Sequence, residues 1–295
     1  MTRKPNLFII GAPKSGTTSL YEYLGGHPQV YMSPVKEPMY FCPEIPKRRL
    51  RPFVFPRDEG RYMALFDDAH GEKHLGEATT RYLGSPRAPT LIREFQPDAR
   101  LVAVLRNPVD MMYALHNERL SQGNEVTEDF ERALAGDSFY RDSGRYARHL
   151  ARWFAQFELD RFHLVVFDDF VADTPATFRR LLEFLEVDPD YRPATFAPHN
   201  VSHRQRRWVR RVLDSRPSRW GKEAVLPALI GSNAKSRLTL RFRQSRLNRR
   251  PAPRMAMSPE LRRRLEDECR PEVSRLSEML GRDLVKLWFG AEQRP

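Results

Sequence analysis

Nine consecutive positions, Gly11-Ala12-Pro13-Lys14-Ser15-Gly16-Thr17-Thr18-Ser19, hold two glycines, one lysine and four hydroxyls. The apolar run before them, Asn6 to Gly11, reads as a buried strand. Thr17 to Leu24 reads as a helix, with Leu20 and Leu24 one turn apart and Gly25, Gly26 and Pro28 to stop it. A loop between such a strand and helix aims successive backbone N–H groups at one point. The helix N-terminus adds positive potential there, so the loop can cradle a phosphate. Gly11 and Gly16 have the spacing of a triphosphate-binding loop, but Thr17 stands where that loop needs lysine. The lysine comes earlier, at Lys14, which suits a shorter anion whose bridging oxygen lies near a 5′-phosphate. The bland alternative is a glycine turn with no ligand.

Two further places could carry chemistry. Arg106 follows the apolar run Arg100 to Leu105, at the strand end where open α/β sheets bind ligands, and a guanidinium suits a phosphate dianion. His163 to Asp169 is an apolar strand ending in two acids, which could hold Mg²⁺ in a kinase or NTPase using Mg-ATP. That is the main rival reading, and the missing lysine after Gly16 stands against it. The eight histidines and two cysteines show no metal-ligand spacing, so no metal is expected.

The elements that must position these residues alternate. Gln29 to Met32, His74 to Thr79, Arg100 to Leu105 and Phe162 to Phe167 read as strands, with residues 43–60 as loop. Helices are expected from Pro108 to about Leu120, Asp129 to Leu134, Arg145 to Phe157, Thr174 to Leu185 and Pro259 to about Leu280, where Gly281 ends the last. This order implies an α/β, P-loop-like three-layer fold, a central and mainly parallel sheet flanked by helices. One domain over 1–295 is expected, with an Arg- and Pro-rich loop or lid at 215–257.

At 295 residues, with 40% hydrophobic residues, the chain has enough apolar content for a packed core, which excludes wholesale disorder. No apolar run approaches the roughly 20 residues of a membrane span. The start, Met1 to Ile10, does not read as a secretory signal, so a cytoplasmic location is expected. Charge is uneven. Val201 to Arg254 carries 16 Lys/Arg against 2 Asp/Glu, and the net +12 of the chain arises there. Such a block suggests an anionic partner or a solvated arginine-rich segment. A nucleic-acid-binding module is poorly supported, because few aromatics interleave with the arginines beyond Trp208, Trp220 and Phe242. Trp153, Trp208, Trp220 and Trp288 read as packing residues.

The run Pro13 to Leu20 resembles the 5′-phosphosulfate-binding loop of sulfotransferases that use 3′-phosphoadenosine-5′-phosphosulfate (PAPS), in the bacterial branch related to heparan sulfate sulfotransferase domains. Lys36-Glu37-Pro38-Met39-Tyr40-Phe41, Gly76-Glu77-Ala78-Thr79, Arg106-Asn107-Pro108-Val109-Asp110, Val166 to Phe170 and Leu261 to Trp288 resemble later segments of that branch, in order. The resemblance implies sulfuryl transfer from PAPS to a hydroxyl or amine, without a metal. Lys14 would stabilise the leaving phosphate. Ser15, Gly16, Thr17, Thr18 and Ser19 would hold the 5′ end, Glu37 would be the general base, and Arg106 would bind the 3′-phosphate. Arg204 and Arg206, in a basic loop over the nucleotide, would touch that phosphate too. The family commonly has a serine eight residues after the arginine; here Tyr113 precedes Ala114, so the contact would come from elsewhere, with His116 and Asn117 as candidates. PAPS and its product 3′-phosphoadenosine 5′-phosphate (PAP) are thus the expected ligands, with an unidentified acceptor, anionic if the basic segment serves it. Nucleic acid is not expected. Intact Lys14 and Glu37 argue against an idle donor-binding scaffold.

Overall fold

The computed structural model describes residues 3–45, 58–122, 124–197, 203–205, 249–251 and 257–290. Five strands, β1 (Leu7–Gly11), β2 (Val30–Met32), β3 (His74–Ala78), β4 (Arg100–Leu105) and β5 (Phe162–Val166), form one sheet in the order β2-β3-β1-β4-β5. Every pairing is parallel. The apolar runs become strands because both faces of a parallel sheet are covered. Along β1 and β4 the side chains alternate between two cores. Phe8, Ile10, Leu101, Ala103 and Leu105 enter one, and Leu7, Ile9, Val102 and Val104 the other.

The helices run in chain order. The first four are α1 (Thr17–Gly25), α2 (Glu59–Met63), α3 (Ala88–Phe95) and α4 (Pro108–Gln122). Then come α5 (Phe130–Gly136), α6 (Phe139–Ser143), α7 (Tyr146–Phe154), α8 (Phe167–Ala172) and α9 (Thr174–Phe184). Two close the chain, α10 (Pro259–Leu280) and α11 (Leu284–Phe289). α1 and α9 cover one sheet face through Leu20, Leu24, Phe178 and Leu181; α4, α7 and α10 supply the other through Met111, Leu150 and Leu265. Trp153 is wholly buried there, its indole N–H on the Leu83 carbonyl at 3.2 Å. The caps of α10 are those its sequence signals: Ser258 Oγ accepts the Leu261 amide, Pro259 opens the first turn, and Gly281 takes a left-handed φ of 61°.

Three expectations need correction. α2 begins inside the stretch read as loop. β5 stops at Val166, one residue early, and α8 starts at once, so Asp168 and Asp169 lie in the first turn of a helix. α3, α6 and α11 are helices that the sequence reading does not predict. Of the basic segment, the described backbone is a short antiparallel ribbon, β6 (His203–Gln205) on β7 (Arg249–Pro251). Arg204 lies opposite Arg250 on it, while Arg206, Trp208 and Trp220 lie outside the described residues.

Candidate active site

β1 lies between β3 and β4, and successive strands are added on opposite sides of it. Its carboxyl end therefore faces the crevice where doubly wound sheets take ligands. The chain leaves it tightly. Ala12 N–H donates to the Val104 carbonyl at 2.8 Å, and Leu83 N–H to the Ile10 carbonyl at 2.8 Å. A Cβ on Gly11 would sit 2.6 Å from Leu83 Cβ, so only glycine fits. Lys14 (φ 59°) and Gly16 (φ 84°) are both left-handed, and α1 starts directly after Gly16, which has no side chain to cap its first amides. Phe167 and Phe170 of α8 press on Gly16.

The hydroxyls of the loop do not all face one way. Ser15 is fully buried and its Oγ donates to the Pro13 carbonyl at 3.2 Å, so it braces the loop from within instead of adding a donor to the cradle. Thr17 and Ser19 are buried, and Thr18 stays partly exposed. Lys14 Nζ rests 3.0 Å from Glu118 Oε1 on α4. Arg106, just past β4, donates from Nη1 to the Lys14 carbonyl at 2.9 Å and lies 4.7 Å from the Phe167 ring centre. The lysine and arginine singled out by the sequence thus meet on one turn of backbone.

Glu37 reaches the same end of the sheet from the next layer of loops. Its amide donates to the Ala78 carbonyl at the end of β3, at 2.9 Å. One carboxylate oxygen accepts the Thr80 amide at 3.1 Å. The other accepts the Thr80 hydroxyl at 3.0 Å and Lys36 Nζ at 3.2 Å. Glu37 (φ 62°) and Met39 (φ 57°) are left-handed as well. With Lys14, they are three of the four non-glycine residues in that region among the described residues. Backbone strain of this kind is kept where the surroundings over-determine it, as the hydrogen bonds around Glu37 do.

Beneath Glu37 lies a second, buried carboxylate. Glu77 accepts hydrogen bonds from Tyr62 and Tyr82, each at 2.8 Å, and from Thr79 Oγ1 at 2.7 Å. Burial pushes its carboxyl up to about 7 despite these three donors. The same groups grip the Glu37 loop. Thr79 Oγ1 accepts the Met39 amide at 3.4 Å, and Tyr82 Oη accepts the Phe41 amide at 3.3 Å. Sequence reading placed Glu77 only within a resembling segment and missed both Glu77 and Glu118 as parts of the site.

The acids of the rival reading are already engaged. Asp169 is clamped by both terminal nitrogens of Arg282, which hold its carboxyl below the usual carboxylate range, and Asp168 accepts the Trp288 indole N–H at 2.9 Å. Both residues offered in place of the absent serine already bond to backbone carbonyls, His116 from a buried position and Asn117 from a partly buried one. His116 is buried with Nε2 2.9 Å from the Thr127 carbonyl, and Asn117 donates back to the Tyr113 carbonyl at 3.0 Å. Among the described residues, no group of three or more His, Cys, Asp or Glu side chains is placed to hold a metal.

A family model described as a sulfotransferase domain matches residues 4–198. The chain belongs to the sulfotransferase family. The matched span holds Lys14, Glu37 and Arg106 and ends before the basic segment with Arg204 and Arg206. The sulfotransferase from Alicyclobacillus acidocaldarius superposes with a TM-score of 0.73 at 27% identity, covering 97% of this chain and 99% of that one. Human carbohydrate sulfotransferase 15 is 28% identical over 252 residues, 63% of this chain and 44% of the relative. Mouse heparan sulfate glucosamine 3-O-sulfotransferase 3B1 is 27% identical over 193 residues, 61% of this chain and 46% of the relative. The chain thus spans less than half the length of these two relatives. The fold is the sulfotransferase fold, and the Mg-ATP reading is set aside.

Proposed function

We propose that the protein transfers the sulfuryl group of PAPS to a hydroxyl or amine of an acceptor. One observation carries this reading: the loop of Lys14, the guanidinium of Arg106 and the carboxylate of Glu37 converge at the carboxyl ends of β1, β4 and β3. The donor set fits an anionic nucleotide, since it consists of an ammonium, a guanidinium and the amides at the start of α1. PAPS, when bound, supplies the sulfuryl group to be transferred.

Each residue then has a defined task. Lys14 turns from Glu118 to the oxygen that bridges sulfur and the 5′-phosphate, where negative charge grows as the bond breaks. Arg106, fixed to the loop by the Lys14 carbonyl, presents its guanidinium to the 3′-phosphate. Glu37 accepts the proton of the attacking acceptor. Its three hydrogen bonds leave one of about four carboxylate lone-pair positions for that proton. Thr80 and Lys36 hold the carboxylate in place meanwhile. Mass-shift screening of acceptor pools with labelled PAPS tests the reading. Transfer that is lost in Glu37→Gln while PAP binding persists supports it. Transfer unchanged in that variant contradicts it.

A further inference from the structure

Three cationic side chains lie around the Glu37 carboxylate and the adjoining turn of α4 and α6. Two are neutralised. Lys36 pairs with Glu37 at 3.2 Å, and Arg119 of α4 pairs with Asp137 at 2.9 Å. The third, Arg81, has no acid within ion-pair distance among the described residues, and it is exposed. An exposed arginine is ordinarily a loose, solvated side chain. This one is not loose: its guanidinium lies over the Phe139 ring, 3.7 Å from the centre, and the same ring has Arg119 at 6.0 Å. Stacking fixes the plane of a guanidinium and leaves its N–H edge open for an oxyanion.

Its place in the chain ties it to the reaction. Thr80 is bonded to both oxygens of Glu37 through its amide and hydroxyl, and Arg81 is the next residue. Glu37 and Arg119 both lie within electrostatic reach of the guanidinium. An anion arriving there would meet Arg81 while its neighbouring hydroxyl met Glu37.

We infer that Arg81, stacked on Phe139 beside Glu37, is an acceptor-side anion subsite, so that the acceptor carries a carboxylate or a sulfate next to the group that is sulfated. This deepens the proposed function and rests on Glu37 marking the acceptor side.

The test is a calorimetric titration of the PAP-saturated protein with three glycosides of one scaffold. They are 4-nitrophenyl β-D-glucoside, the corresponding glucuronide, and the corresponding 6-sulfate. At least one anionic glycoside should bind roughly tenfold or more tightly than the neutral one, as a charge-assisted contact implies, and the arm that does so identifies the anion. Arg81→Ala should erase that preference, and Arg81→Lys, which keeps charge without the planar stack, should restore only part of it. PAP affinity should stay unchanged in both variants, because the side chain touches no donor-binding residue, and the melting temperature should fall only by the small amount that one stacked pair contributes. An absent preference in the wild-type protein, or one that survives Arg81→Ala, overturns the inference. Failure of PAP itself to bind would instead strike the proposed function, and the glycoside comparison can still be read without nucleotide.

Discussion

Lys14 and Glu37 stand at the mouth of the same sheet but are held by opposite means. Around Lys14 the backbone does the holding. Gly11 fits against Leu83, Gly16 takes a left-handed turn, Ser15 braces the loop internally, and Arg106 grips the Lys14 carbonyl. Among the described residues the lysine ammonium has one ion-pair partner, Glu118. Around Glu37 the side chains do the holding. Glu37 is bound by Thr80 and Lys36, and its loop is fastened from below by Thr79, Tyr82 and the buried Glu77. The contrast fits the roles proposed for the two residues: a lysine that would move to a changing charge sits on rigid backbone with a replaceable partner, and a carboxylate that would receive a proton in one place is fixed by its own oxygens.

Changes that reach the chemistry itself should have the largest effects. Glu37→Gln keeps the shape of the side chain and removes the proposed base; turnover should fall by about 10²–10⁴, with PAP affinity retained. Lys14→Ala should lower turnover by about 10²–10³, measured at saturating donor. A small loss in either would break the division of roles between the two sides.

Next comes the buried carboxylate. Glu77 is raised from 4.5 to about 7 in the folded protein, so between those values the folded state binds more protons than the unfolded one. Stability contributed by this group is therefore lost as pH rises from about 4.5 to about 7. Integrated, the difference is about 3 kcal/mol. Glu77→Gln should remove that slope, so the gap between variant and wild type in chemical denaturation should widen with pH in the variant's favour. A gap that stays constant from pH 5 to pH 8 would mean that Glu77 does not carry a shifted proton.

The smallest expected effect is at Glu118. A carboxylate 3.0 Å from Lys14 would compete with the proposed anionic donor for the same ammonium. Glu118→Gln should tighten PAP binding by a few-fold, in keeping with a partly exposed ion pair worth up to about 1 kcal/mol. Weaker binding would show that Glu118 positions the lysine instead of competing for it.

Much of the architecture could be read from the residues because parallel strands leave a simple trace. Apolar runs such as Leu101 to Leu105 have no polar face, and α10 carries its own punctuation in Ser258, Pro259 and Gly281. The break between β5 and α8 left no such trace, since Val166 passes into Phe167 with no turn residue between them. The loop between β1 and α1 was legible for a related reason: its glycines, lysine and hydroxyls lie in nine consecutive positions. The support under Glu37 was not, because it depends on contacts distant in sequence. Glu77 looks like a polar interruption of β3 until Tyr62, fifteen residues earlier and next to a stretch read as loop, is placed on it. Glu118 looks like one more charge on a helix until the fold brings Lys14 across from it.

The most direct test of the central claim compares nucleotides on the purified protein. Calorimetric titration with PAP, with adenosine 5′-monophosphate and with Mg-ATP asks which anion this loop and Arg106 are built to hold. PAP should bind tightest, adenosine 5′-monophosphate should be weaker by the 3′-phosphate contact, and Mg-ATP should show no advantage from the metal. Equal binding of PAP and adenosine 5′-monophosphate, or tight binding of ATP that requires Mg²⁺, would contradict the account.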